Sequence, residues 1–166
     1  MIGFTFFLKG IVALSSQILL LREFFIVAHG NEFSFGIVIC VWVIGGAIGS
    51  FVSGHIKNTP LLFFVLIFLE AIWLFAGLVI IRTHNAIFGL NPGEIMNLPC
   101  LICLVFITAG IFNFLQGMRF ITGSILLKRQ VPEDKAIGLV YGWEGAGALS
   151  AGFAFAFILQ KYTDPF

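Results

Sequence analysis

The chain has 166 residues, of which 60% are hydrophobic and only 10% are charged, and its formal net charge is +1. An average soluble domain carries about 25% charged residues, so this chain cannot cover its surface with charge and part of its solvent must be lipid. The sequence has no run of basic residues, so we expect no nucleic-acid partner.

Five apolar stretches are long enough to cross a bilayer core of roughly 30 Å, which takes about 20 helical residues. In chain order they cover about residues 2–28, 33–54, 61–81, 98–127 and 136–159. No alternating ten-residue pattern of transmembrane strands recurs. The sequence therefore predicts an all-α, polytopic transmembrane bundle of about five helices. We expect residues 1–166 to form this single domain, with no soluble catalytic domain.

The connections between these stretches are short, except for a longer loop from Arg82 to Asn97. Basic loop residues are unevenly distributed: one side would hold Lys57, Lys128, Arg129 and Lys135, and the other Arg82 and Lys161. Because basic residues concentrate in cytoplasmic loops, we expect an integral protein of the cell inner membrane with a cytoplasmic N-terminus.

Ionisable and amide side chains interrupt the apolar stretches. A charge at the bilayer centre costs about 2.5–3.5 kcal/mol on insertion scales, so it normally faces protein or a water-filled cavity. We therefore predict an interior polar network, which also serves as the candidate ligand-binding site, from Arg22, Glu23, Glu70, Asn113, Gln116, Arg119 and Glu144.

Arg119 is expected to pair with Glu144, its neighbour on the next helix, or with Glu70. Two interpretations stay open at this point. Such pairs fix the register of helices, or they form a site for a polar ligand or a proton.

Two rows of small residues are spaced four apart and favour close helix packing. The second helix contains Gly45 and Gly49, and the fifth contains Gly138, Gly142, Ala146 and Ser150. We predict that both rows are packing faces, and the alternative is a surface on which helices slide during transport.

Cys100 and Cys103 form a CxxC pair at the start of the fourth helix, which is the pattern of a thiol-redox enzyme. The other cysteine, Cys40, offers no second pair, and small apolar packing is the usual role of such residues. No metal-ligand set, phosphate loop or nucleophile motif is present in the sequence. We therefore predict no catalytic residue, no metal and no cofactor.

Four segments carry a family resemblance: SSQILLLREFFIVAHGNEFSFGIVICVWVIGGAIGSFVSGH, FLEAIWLFAG, FNFLQGMRFITGSILLKRQ and GLVYGWEGAGALSAGFAFAFIL. In this order, across roughly residues 13–159, they resemble the membrane-embedded, major-facilitator-like N-terminal part of fused spermidine-synthase-like proteins. In that family the helical part is followed by a cytosolic aminopropyltransferase-like domain, which we expect to be absent here.

The resemblance implies a half-bundle of six helices, one more than the five predicted here. We expect a fragment, a split gene product or a subunit, with the sequence ending about where a sixth helix would begin. Its partners would be the lipid bilayer and a sixth helix, a second half-bundle or a cytosolic synthase-like domain.

The function expected from these observations is that of a non-catalytic membrane module in a spermidine-synthase-like system. It would anchor a partner and bind or move a small polar or cationic solute. One alternative is a purely structural membrane subunit. The other is a thiol-redox membrane enzyme that uses Cys100 and Cys103.

Overall fold

A computed structural model of the chain describes residues 2–91, 94 and 96–159. These described residues form helices and contain no strand. In chain order the helices are α1 (Ile2–Val27), α2 (Glu32–His55), α3 (Pro60–Arg82), α4 (His84–Phe88), α5 (Leu98–Leu127) and α6 (Glu133–Ala154). A π-helical segment, Phe155–Leu159, continues α6. The prediction of an all-helical fold is confirmed.

Four of these helices, α1, α2, α3 and α5, are long and apolar enough to cross a membrane. They confirm four of the five predicted transmembrane stretches by length and composition. The fifth stretch is observed as α6 and its π-helical continuation, but α6 is less apolar, with Glu144 and five glycines in its sequence. That α6 crosses the membrane stays a prediction. The expected position of a sixth helix lies outside the described residues.

The ends of the long helices are set by local capping signals. The Asn31 side chain accepts a hydrogen bond from the Phe33 amide at the start of α2. The Thr59 hydroxyl accepts one from the Leu62 amide before α3, and the Asn97 side chain accepts one from the Cys100 amide before α5. Such side-chain oxygens satisfy amides that lack a partner in the first helical turn. The short helix α4 lies within the stretch that we expected to be only a loop.

The chain divides into two compact units. The central unit is Leu19–Leu126, and the terminal unit is Met1–Ile18 with Leu127–Phe166, as far as the structure describes them. The core of the central unit is a cluster of buried apolar side chains from α1, α2, α3 and α5 and from the loop before α5. The assignment of the whole chain to one domain stays a prediction.

Within the central unit, α2 and α5 approach closely along the predicted row of Gly45 and Gly49. A Cβ added at Gly45 would lie 2.7 Å from the carbonyl oxygen of Gly110. One added at Gly49 would overlap the carbonyl oxygen of Phe114, and one added at Gly117 would overlap that of Gly46. Both helices therefore need glycine where they cross, and the prediction for Gly45 and Gly49 is confirmed.

The predicted packing row of α6 is wrong for contacts within the described chain. Gly138, Gly142, Ala146 and Ser150 are all exposed. Apart from the adjacent residues and backbone of α6 itself, no described atom lies within 4 Å of a Cβ added at Gly138 or Gly142.

A different row of α6 packs on α1 in the terminal unit. Among the residues of α6 whose burial the structure describes, Ala136, Val140, Gly147 and Ala151 are buried. A Cβ added at Gly147 would overlap the Phe7 carbonyl, and one added at Gly10 would overlap the Glu144 carbonyl. Because these paired glycines decide which side of α6 meets α1, the four-residue spacing of the predicted row was not sufficient to identify the packed face.

Membrane orientation can be tested by cysteine labelling at two exposed loop residues. We expect Asn91→Cys to react with an impermeant maleimide in intact cells, and Lys57→Cys to react only after the membrane is permeabilised. The basic residues place the loop containing Lys57 in the cytoplasm, and α3 separates the two sites. Asn58 is unsuitable for labelling, because its side chain is buried.

Both substitutions are made in a protein in which Cys40, Cys100 and Cys103 are changed to serine, so that only the introduced thiol can react. Labelling of both sites from outside would contradict a membrane-spanning α3. Labelling of Lys57→Cys alone from outside would reverse the predicted orientation.

Candidate functional site: polar side chains of the central unit

A buried ion pair joins the middle of α3 to the second half of α5. The Arg119 Nε donates to the Glu70 Oε1 at 2.7 Å. The Arg119 and Glu70 side chains are only 3% and 8% exposed. The prediction that Arg119 pairs with Glu70 or Glu144 is confirmed for Glu70. Glu144 is half-buried in the terminal unit, and its membership of the network stays a prediction.

This ion pair lies deep in the predicted membrane span. Glu70 is ten residues from the start of α3 and twelve from its end, which is about 15 Å and 18 Å along the helix axis. Removal of both charges from water is unfavourable, and their mutual attraction offsets that penalty only when the geometry is good. The short Nε–Oε1 contact fulfils this condition and locks α3 against α5.

A second polar cluster lies one turn along α5 from Arg119. The Thr122 hydroxyl donates to the Asn58 Oδ1 at 2.7 Å, and the Ser53 hydroxyl donates to the same oxygen at 3.0 Å. The Asn58 Nδ2 donates to the carbonyls of Ser53 at 2.8 Å and Ile56 at 3.0 Å. All three side chains are buried, so the cluster ties the end of α2 and the loop after it to α5.

Ser53 and Asn58 were not among the predicted site residues. Asn58 lies in a four-residue connection, where asparagine is common for turn geometry alone. The sequence did offer one signal: Asn58 is an amide in a short loop, and Thr122, one turn after Arg119 on α5, is a polar residue that could pair with it.

Asn113 is buried at the crossing of α2 and α5. Its Nδ2 donates to the Ala109 carbonyl at 2.7 Å. Its Oδ1 is buried and accepts no hydrogen bond from any described residue. Its predicted neighbour, Gln116, is half-buried in α5, and its part in a ligand site stays a prediction.

Glu23 forms a separate ion pair with Arg82 at the end of α3. The Arg82 Nη2 donates to Oε1 at 2.6 Å and the Arg82 Nε donates to Oε2 at 3.1 Å. Arg82 is twelve residues from Glu70, about 18 Å along the helix. Glu23 therefore does not belong to the Glu70 pair, and the expectation of a single network is wrong for it. Arg22 is exposed.

The cysteines of the chain are free thiols. Cys100 is half-buried against the core of the central unit, whereas Cys103 and Cys40 are exposed. Among the described residues, no group of three or more His, Cys, Asp or Glu side chains is placed to hold a metal ion.

No protein-family model, curated protein or solved structure matches this chain. The similarity to spermidine-synthase-like membrane segments therefore stays a prediction. The site itself consists of one buried ion pair, one buried hydrogen-bond cluster and one unpaired amide oxygen, all within the central unit.

Proposed function

We propose that the chain is a non-catalytic integral membrane module that binds or moves a small polar or cationic solute at Glu70 and Arg119. The observation that supports this most is the 2.7 Å ion pair buried between α3 and α5. Ionisable side chains at this depth of a membrane span are uncommon, and they generally serve substrate paths, proton relays or ligand sites.

The chemistry of the site favours a cation. An ammonium group reaching Glu70 would compete with the Arg119 guanidinium for the same carboxylate, so binding would be coupled to the opening of the ion pair. The Glu70 carboxylate would accept hydrogen bonds from that ammonium group in place of the one from Arg119.

The module would also anchor a partner, as the resemblance to fused spermidine-synthase-like proteins implies. The bilayer is the first partner, because large apolar side chains on the spans point outward: Phe51, Phe64 and Phe75 are 69%, 68% and 73% exposed. The protein partner would be a sixth helix, a second half-bundle or a cytosolic synthase-like domain.

A test of the solute site uses spermidine as the probe and thermal unfolding in micelles as the measurement. A ligand that binds only the folded state stabilises it by roughly 2.7 kcal/mol at 100 times its Kd. We expect spermidine to raise the Tm of the wild type and of Glu32→Gln, an exposed carboxylate on α2. We expect no rise for Glu70→Gln. Equal shifts for Glu32→Gln and Glu70→Gln would contradict a site at Glu70.

A purely structural subunit is the second candidate, and the 2.7 Å contact also favours it because Glu70 and Arg119 neutralise each other. Exchange of the two residues, Glu70→Arg with Arg119→Glu, separates the two functions. If the pair is structural, the exchanged protein should be about as stable as the wild type, and spermidine should raise the Tm of neither. A solute site predicts that the exchanged protein folds but loses the spermidine-induced rise in Tm.

A further inference from the structure

Helix α5 changes from α-helical to π-helical geometry near its middle. The segment Phe106–Gly110 is π-helical, between the α-helical segments Leu98–Val105 and Ile111–Leu127. A π turn contains an additional residue, is rare in proteins and is frequently found at functional sites. It also disturbs the regular ladder of backbone hydrogen bonds, and its carbonyl groups can then accept from side-chain donors as well.

Two side chains supply those donors at consecutive carbonyls. The Trp73 Nε1 of α3 donates to the Thr108 carbonyl at 3.1 Å, and this carbonyl also accepts from the Ile111 amide. The Asn113 Nδ2 of α5 donates to the Ala109 carbonyl at 2.7 Å. We call these two hydrogen bonds the clasp. They reach the π segment from a neighbouring helix and from the next turn of its own helix.

The side chains of the segment provide little interlocking of their own. Thr108, Ala109 and Gly110 are small and buried. Opposite them stand another glycine and a valine: a Cβ added at Gly77 would lie 3.6 Å from the Thr108 Cβ, and one added at Gly110 would lie 3.2 Å from Val41. The Thr108 hydroxyl also donates to the Leu104 carbonyl at 2.7 Å. The clasp adds to this packing a hydrogen bond from each of two side chains to the carbonyls of the π segment.

The clasp also leaves one buried hydrogen-bond acceptor without a partner among the described residues. Asn113 uses its amide nitrogen in the clasp, while its Oδ1 is buried without a described partner. A buried acceptor without a hydrogen bond is unfavourable. This penalty lowers the stability of the clasped state relative to one in which Asn113 turns away.

We infer that Phe106–Gly110 is a hinge within the membrane span, held in its π form by Trp73 and Asn113. Release of the clasp lets the segment return to α-helical geometry, and Leu98–Val105 then turns relative to the part of α5 that carries Arg119. Trp73 is three residues from Glu70 on α3, so the two side chains share one face of that helix. The hinge and the Glu70–Arg119 pair therefore act on the same contact between α3 and α5.

The test is amide hydrogen exchange, measured by NMR for the protein in detergent micelles. In the wild type, amides of residues 108–112 should exchange faster than those of residues 117–124 in the same helix. Trp73→Phe keeps the aromatic ring but removes the donor, and it should speed exchange at residues 108–112 by about five- to tenfold, the effect of one lost hydrogen bond. Trp42→Phe, at a more exposed tryptophan of α2, is the matched control and should change nothing there.

Asn113→Leu provides the same test from the other half of the clasp, and it should produce a similar local increase if Trp73→Phe fails to fold. This test is independent of the proposed solute site, because hydrogen exchange is measured without any ligand. Equal protection of residues 108–112 and 117–124 in the wild type would overturn the inference. So would an unchanged exchange rate at residues 108–112 in the folded clasp variants.

Discussion

Arg119→Met should lower the free energy of unfolding by about 3–5 kcal/mol, because removal of one partner leaves the Glu70 carboxylate buried without compensation. The side chains of the pair are almost fully buried, and their contact is only 2.7 Å long. The measurement is reversible unfolding in mixed micelles, followed by the loss of helical signal as the denaturing detergent is titrated. Arg22→Met is the control, since Arg22 is exposed on α1 and its replacement should stay within about 0.5 kcal/mol of the wild type.

The double variant Glu70→Leu with Arg119→Met identifies the source of that loss. Replacement of a whole buried ion pair by apolar side chains of similar size is often neutral or stabilising. We therefore expect the double variant to recover most of the stability lost in Arg119→Met. A double variant no more stable than Arg119→Met would mean that α3 and α5 need the charges themselves. If Arg119→Met is as stable as Arg22→Met, the Glu70–Arg119 ion pair does not stabilise the folded protein.

The sequence predicted the helix boundaries well because their signals are local. Asn31, Thr59 with Pro60, and Asn97 each precede a long apolar stretch, and each is a capping residue in the structure. Bilayer thickness set the expected length. The Glu70–Arg119 pair was also accessible to prediction, because a buried cation needs an acid at similar depth, and only a few were available.

The features that the sequence did not predict depend on how each helix is rotated about its own axis, because this rotation decides which face is packed. Spacing showed that α6 has a row of small residues, but glycine is equally compatible with an exposed face. The contact was decided by Gly147, on another face of α6, and by Gly10 of α1. The π segment could not be predicted either, because Phe106–Gly110 continues the apolar sequence of α5 with no proline and no charged residue. Neighbouring groups such as the Trp73 ring stabilise it.

Gly49→Leu should destabilise the protein by about 3 kcal/mol or prevent folding, because the new side chain would meet backbone and not a movable side chain. A Cβ at this position would already overlap the Phe114 carbonyl of α5. Overpacking of a tight contact typically costs about 1–3 kcal/mol, and backbone that cannot yield lies at the upper end or beyond. In the membrane, separation of α2 from α5 also removes the van der Waals contacts that hold helices together.

Gly54→Leu is the matched control for Gly49→Leu, since it makes the same chemical change five residues along α2, where no described atom lies within 4 Å of an added Cβ. Leucine is the better helix former by roughly 0.8 kcal/mol, so Gly54→Leu should be neutral or slightly stabilising. Gly142→Leu on α6 should be tolerated for the same reason of open space. The difference in unfolding free energy between Gly49→Leu and Gly54→Leu therefore measures the close approach of α2 and α5, free of the change in helix propensity. Equal stability of these two variants would show that the helices cross at a greater distance than the glycine contacts require.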